Sequence, residues 1–192
     1  MEATLEITED YKQDLALEND QPLLEIMELA GSKQIKDLRV NLRNNLETGT
    51  LSRKEGLLIA LAIAINERHP ALTNSFSRLA REEGATEAEV AEMHACASLL
   101  ATNNVVYRFK HFMDSDTYQN QPVKIKMGIM MKPVTGKEFF ELVSTAISAV
   151  NGCEMCVRAH EASLLKLDCT PERIFDAVRL AGIVTGLTKS IN

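Results

Sequence analysis

The chain repeats itself. Leu51-Ser52-Arg53-Lys54-Glu55 is echoed by Val134-Thr135-Gly136-Lys137-Glu138, and Gly84-Ala85-Thr86-Glu87-Ala88-Glu89-Val90 by Asp168-Cys169-Thr170-Pro171-Glu172-Arg173-Ile174. Both pairs are separated by about 83–84 residues, the length of one supersecondary unit. Strand signals are almost absent: alternating β-branched residues never persist, and Ala, Leu, Glu, Lys and Met dominate. A duplicated unit with this composition leaves an all-α fold with two related halves.

Apolar periodicity predicts helices near 9–18, 22–30, 34–47, 52–65, 71–83, 86–112, 137–150, 153–167 and 171–189. Ser52 with Glu55, and Thr86 with Glu89, have the spacing of capping boxes. Thr170-Pro171 reads as a cap followed by proline at the first helical position. Gly84 and Asn151-Gly152 mark stops. The segment 114–136 holds Pro122, Gly128, Pro133 and Gly136 and reads as a connector, with a short helix expected around 123–130. The expected organisation is an N-terminal helical extension over 1–34, a first half over 35–113, the connector, and a second half over 137–192.

With 192 residues the chain can bury a core without a disulfide or metal staple. Its net charge of -6 disfavours a phosphate backbone, so no nucleic-acid partner is expected. The acidic start lacks the apolar core of a signal peptide, and the longest apolar run, Leu57 to Ile65, is too short to span a bilayer. A cytoplasmic protein with no membrane association is the expectation. In a reducing compartment a C-x-x-C pair is a redox or metal motif rather than a structural staple.

That pair lies in Asn151-Gly152-Cys153-Glu154-Met155-Cys156-Val157-Arg158-Ala159-His160, and only one half carries it. At an offset of about 84, Cys153, Cys156 and His160 fall on His69, Leu72 and Phe76. On a helix beginning at Cys153, both cysteines and His160 share an arc of about 60°, and the thiols are about 4.5 Å apart along the axis. That separation suits a disulfide across one turn. The first-turn amides, the neighbouring thiol and His160 should all favour a thiolate. If Asn151-Gly152 turns the chain into a helical hairpin, Glu141 and His160 come to similar heights, about 15 and 12 Å from the turn. Ser144, Thr145 and Ser148 share the Glu141 face and read as a polar seam packed on the second helix. A carboxylate there would orient the imidazole.

Three readings of the pair stay open on the residues alone. Two small buried hydrophobes are the plainest. Zinc would take Cys153, Cys156 and His160 but needs a fourth ligand such as Glu141 or His94. Thiol redox chemistry uses all four of Cys153, Cys156, His160 and Glu141. Cys96 and Cys169 read as structural, and His69, His94 and His111 as surface or capping residues. The acidic stretch Glu82 to Glu92 reads as a solvated helix end, and Met127–Met131 as packing. No glycine-rich phosphate loop, flavin, nicotinamide or metal site is visible, so no bound cofactor is expected.

The run Glu141…Ser148-Ala149-Val150-Asn151-Gly152-Cys153-x-x-Cys156-x-x-Ala159-His160-Glu161 resembles the signature of the AhpD alkyl hydroperoxidases, in the carboxymuconolactone decarboxylase-like superfamily. Asn103-Asn104-Val105-Val106-Tyr107-Arg108 and the Pro171–Gly186 helix fit as well, so the likeness covers residues 35–190. It implies a peroxidase and disulfide reductase, assembled as a homotrimer. Cys156 would be the peroxidatic residue that becomes a sulfenic acid. Cys153 would resolve it as a Cys153–Cys156 disulfide and act as proton donor, and His160 and Glu141 would form the relay. A dihydrolipoyl group would be the external reductant, with an AhpC-type peroxiredoxin and a lipoyl-bearing acyltransferase as partners. The family often has histidine where this chain has Met155, which projects away from the cysteine arc; its effect should be on tuning or access. The alternatives are a non-redox carboxymuconolactone decarboxylase-like enzyme and a redox-sensing or zinc-binding interaction module.

Overall fold

The computed structural model describes residues 5–192; residues 1–4 of the N-terminal extension lie outside the described residues. Among the described residues there are ten α-helices, one short 3-10 helix and no strand. The helices are α1 (Glu6–Asp14), α2 (Pro22–Leu29), α3 (Lys33–Thr48), α4 (Arg53–Asn66), α5 (Pro70–Glu82), α6 (Glu87–Met113), α7 (Asp116–Gln119), α8 (Lys137–Val150), α9 (Glu154–Leu165) and α10 (Pro171–Leu187). The 3-10 helix spans Gly128–Met131.

The duplication is structural. α8, α9 and α10 each begin about 84 residues after α4, α5 and α6. The counterpart of α3 is the connector, which holds only α7 and the 3-10 helix. α4 is the central element. Every residue from Gly56 to Ala64 is buried, and α3, α5, α6, α8 and α10 surround it. A helix apolar on all faces is stable only in such a position. α8 is its counterpart, and its buried run also takes in Glu141, Ser144, Thr145 and Ser148.

The halves clasp each other through matched carboxylates. Glu92 on α6 accepts from the amides of Val134 and Thr135, just ahead of α8. Its counterpart Asp176 on α10 accepts from the Thr50 amide at 2.8 Å and the Thr50 hydroxyl at 2.9 Å, just ahead of α4. Each half therefore holds the entry of the other half's central helix. Within each half a matched ion pair ties the central helix to the third helix, with the charges inverted: Lys54–Glu89 at 2.9 Å corresponds to Glu138–Arg173 at 2.9 Å.

Four hydrogen-bonded carboxylates, Glu28, Glu55, Glu89 and Asp176, make the fold acid-sensitive. Burial by itself would raise Glu55, Glu89, Asp176 and Glu28. The Arg173 guanidinium and Ser52 outweigh it at Glu55, Thr86 and Lys54 at Glu89, Thr50 and Arg179 at Asp176, and the Ile7 and Thr8 donors at Glu28, so all four carboxyls lie below their ordinary range. A carboxyl depressed in the folded state adds stability above its unfolded value, and that stability is lost as pH falls through the folded value. The thermal midpoint should therefore drop between about pH 5 and pH 3. A flat midpoint over that interval by calorimetry would contradict the clasp.

Several boundaries and environments differ from the sequence expectations. The first helix is Glu6–Asp14 rather than 9–18, because Leu15 and Ala16 turn to give their carbonyls to Ser75 and Arg78. The connector helices fall at Asp116–Gln119 and Gly128–Met131 instead of 123–130. Glu92 is buried, not part of a solvated helix end, because it caps the loop of the opposite half. Among the described residues no helix is long and apolar enough to cross a membrane.

Candidate active site

Position starts with a turn. α8 ends at Val150, and Gly152 takes a left-handed φ of 66°. The Cys153 amide reaches the Ser148 carbonyl at 3.0 Å and the Gly152 amide reaches Ala149 at 3.1 Å, a Schellman stop. The first half makes the same turn with Arg68 (φ 56°) in the glycine's place. The chain then re-enters a helix at once. Cys153 is the N-cap of α9 rather than its first helical residue, and Cys156 sits in the first turn. His69 holds the corresponding N-cap of α5, where its Nδ1 accepts from the Leu72 amide at 3.2 Å.

An asparagine cluster locks this turn. Asn104 on α6 donates to the Ser148 hydroxyl at 3.1 Å and accepts from Asn151 at 2.8 Å. Asn151 also pairs with Asn66 of α4 at 3.0 Å, and Arg108 donates to the Asn151 carbonyl at 2.8 Å. Sequence reasoning used Asn151 for the turn itself but gave Asn66, Asn104 and Arg108 no positioning role. The only signal was the run from Asn103 to Arg108, which carried part of the family likeness.

Cys153 and Cys156 form a disulfide with Cα atoms 5.3 Å apart. The His160 Nδ1 lies 2.6 Å from Glu141 Oε2, so the structure brings α8 and α9 together at these two side chains. Glu141 and His160 are 4% and 9% exposed. An ionised carboxylate only accepts, so Nδ1 carries the hydrogen and Nε2 of a neutral imidazole is left with a lone pair. In the first half the counterparts of Glu141, Cys156 and His160 are Leu57, Leu72 and Phe76, all buried core residues.

A cavity of about 280 Å³ opens beside the pair, lined by Leu100, Asn103, Tyr107, Met127, Met130, Met155, Cys156, Ala159 and His160. Cys156 is on its wall; Cys153 is fully enclosed and is not. Met155, although off the cysteine arc, still lines the cavity, because α6 and the connector wrap more of α9 than that arc; this fits an effect on access. One sequence expectation changes here. The hydroxyl seam of α8 faces α6, not α9: Ser148 meets Asn104, Ser144 lies 3.6 Å from the Cys96 sulfur, and Thr145 bonds back to the Glu141 carbonyl.

Burial, opposed by the Ser144 hydroxyl and reinforced by Glu92 and Glu141, pushes the Cys96 thiol up to about 12. At pH 8 alkylation of the reduced, folded protein should therefore leave Cys96 unmodified while Cys156 reacts. Peptide mass spectrometry showing Cys96 labelled as fast as Cys156 would contradict this. Among the described residues no three or more His, Cys, Asp or Glu side chains are grouped so as to hold a metal ion.

Comparison with known proteins places this architecture. The profile of the Carboxymuconolactone decarboxylase family matches residues 34–108 and again 117–191. The chain is 38% identical over 149 residues to an alkyl hydroperoxide reductase AhpD of Anaeromyxobacter sp. (strain Fw109-5), covering 78% of this chain and 80% of the relative. It is 38% identical over 149 residues to the AhpD of Beijerinckia indica subsp. indica, covering 78% and 82%. The AhpD of Coxiella burnetii (strain Dugway 5J108-111) is 34% identical over 157 residues, covering 80% and 88%. The two family matches fall on the two structural halves, and together with these relatives they show that the chain belongs to the carboxymuconolactone decarboxylase family, among its AhpD-type members.

Proposed function

We propose that this chain is a thiol-dependent hydroperoxide reductase in which Cys156 attacks the peroxide. The observation that carries the reading is His160, held by buried Glu141, sharing the wall of one cavity with Cys156, with Cys153 in disulfide contact behind it. The name alkyl hydroperoxide reductase borne by the relatives supports it.

In the reduced enzyme, Nε2 of His160 takes the Cys156 proton while Glu141 holds Nδ1–H and stabilises the imidazolium. The first-turn amides of α9 favour the thiolate. The sulfur attacks the terminal peroxide oxygen. An S–O bond forms, the O–O bond breaks, and the departing alkoxide receives the proton from His160. The sulfur is oxidised by two electrons and the peroxide is reduced to alcohol. The Cys153 thiol then attacks the sulfenic sulfur; an S–S bond forms and water leaves. An external dithiol, with dihydrolipoyl groups as the proposed physiological form, reduces the disulfide by exchange.

On the same reading the enzyme acts in the cytoplasm, works with an AhpC-type peroxiredoxin and a lipoyl-bearing acyltransferase, and assembles as a homotrimer. Exposed Val105, Phe109 and Phe112 near the end of α6 supply apolar surface for self-association. The test is hydroperoxide consumption with dihydrolipoamide as the only electron source. Wild type should turn over and Cys156→Ser should not. A wild type that consumes no hydroperoxide would overturn the proposal.

A further inference from the structure

The cavity beside Cys156 holds a polar atom that neither the fold nor the relay uses. Asn103 on α6 is 6% exposed and lies on the cavity wall. Its amide nitrogen donates to the Met127 sulfur at 3.1 Å. A thioether sulfur has no hydrogen to give, so this contact faces the nitrogen side of the carboxamide. The other side is left over: Asn103 Oδ1 is buried and has no hydrogen-bond partner among the described residues. Native folds keep few such orphaned acceptors, and each calls for a reason.

Structure alone does not supply one. The counterpart of Asn103 in the second half is Leu187, fully buried. The same helix position thus works with an apolar residue where no cavity is needed. The neighbouring Asn104 is fully used by Ser148 and Asn151, so the turn is already locked without Asn103. The remaining polar groups on the cavity wall are His160, whose Nδ1 is committed to Glu141, and the Tyr107 hydroxyl.

We propose that Asn103 seats the hydroperoxide head group. Its Oδ1 accepts the hydrogen bond of the substrate O–H and so presents the terminal oxygen to the Cys156 sulfur. The organic part lies against Leu100, Met127 and Met130. Asn103 gives and takes no proton. As the S–O bond forms and the O–O bond breaks, the hydroxyl it holds passes to sulfur, and the alkoxide takes its proton from His160. A peroxide with no O–H, a dialkyl peroxide, gives Oδ1 nothing to accept.

This inference rests on the peroxidase reading, and the experiment separates the two. Reduced wild type and Asn103→Leu are compared for reaction with tert-butyl hydroperoxide and with methyl methanethiosulfonate, a thiol reagent that has no O–H to donate. The hydroperoxide rate constant should fall about 10- to 100-fold while the reagent's rate stays within about twofold. The thermal midpoint should not fall, because an orphaned polar group is removed. Asn103→Ala, read the same way, serves if the leucine disturbs the fold. Equal rates for wild type and variant, or a parallel fall with both reagents, would overturn the role of Asn103 alone. A wild type inert to hydroperoxide would overturn the peroxidase reading and this inference with it.

Discussion

Cys156→Ser is expected to lose hydroperoxide turnover by on the order of 10³-fold or more, the scale seen when a nucleophile is removed from an intact site. A serine hydroxyl is not ionised by a histidine in its ground state and is a poor nucleophile toward an O–O bond. The remaining thiol cannot substitute, because Cys153 is fully enclosed and off the cavity wall. Cys153→Ser should behave differently. Its Cys156 still faces the cavity and His160, so one equivalent of peroxide should react at close to the wild-type rate before the enzyme stalls. Stopped-flow comparison of the two variants reads this asymmetry. Equal losses, or turnover surviving in Cys156→Ser, would contradict the assignment.

The second large effect comes from making the cysteine-bearing half resemble the other one. Glu141→Leu and His160→Phe together install the residue types that the first half carries at Leu57 and Phe76, both buried in its core. Replacing both partners of a buried hydrogen bond by packed apolar groups of similar shape is nearly neutral or stabilising. The double variant should therefore fold with an equal or higher midpoint while its peroxide reaction slows by about 10²- to 10⁴-fold, the range of a lost general base. The single variant His160→Phe should be destabilised by about 3–5 kcal/mol, because Glu141 would stay buried without its partner. Calorimetry and peroxide kinetics on Glu141→Leu, His160→Phe and the double variant, with the wild type, form a cycle. Additive stability changes, or a double variant that keeps its rate, would show that the pair is neither coupled nor catalytic.

Much of this architecture could be read from residues. The all-helical character followed from composition and period. The Ser52, Thr86 and Thr170 starts followed from capping chemistry, and their cap bonds are present. The duplication followed from two short echoes. The hairpin arithmetic set Glu141 and His160 level because helical rise and a Gly152 stop are local properties. Tertiary pairing was not legible. Glu92 looks like one more acid in an acidic run until α6 meets the loop ahead of α8. The end of α1 depends on Ser75 and Arg78, far along the chain. The seam of Ser144 and Ser148 has hydroxyls that suit any polar neighbour, and nothing local says that the neighbour is α6. Met155 projects away from the cysteine arc, yet a cavity wall is set by what wraps the helix as much as by the helix.

The most direct measurement is of where the first oxygen goes. Reduced Cys153→Ser protein is treated with one equivalent of hydroperoxide in the presence of dimedone, and the peptides are read by mass spectrometry. A dimedone adduct on Cys156, with Cys96 and Cys169 unmodified, is the expected result. Trapping on another cysteine, or no sulfenic acid at all, would contradict the central claim that Cys156 is the residue that meets the peroxide.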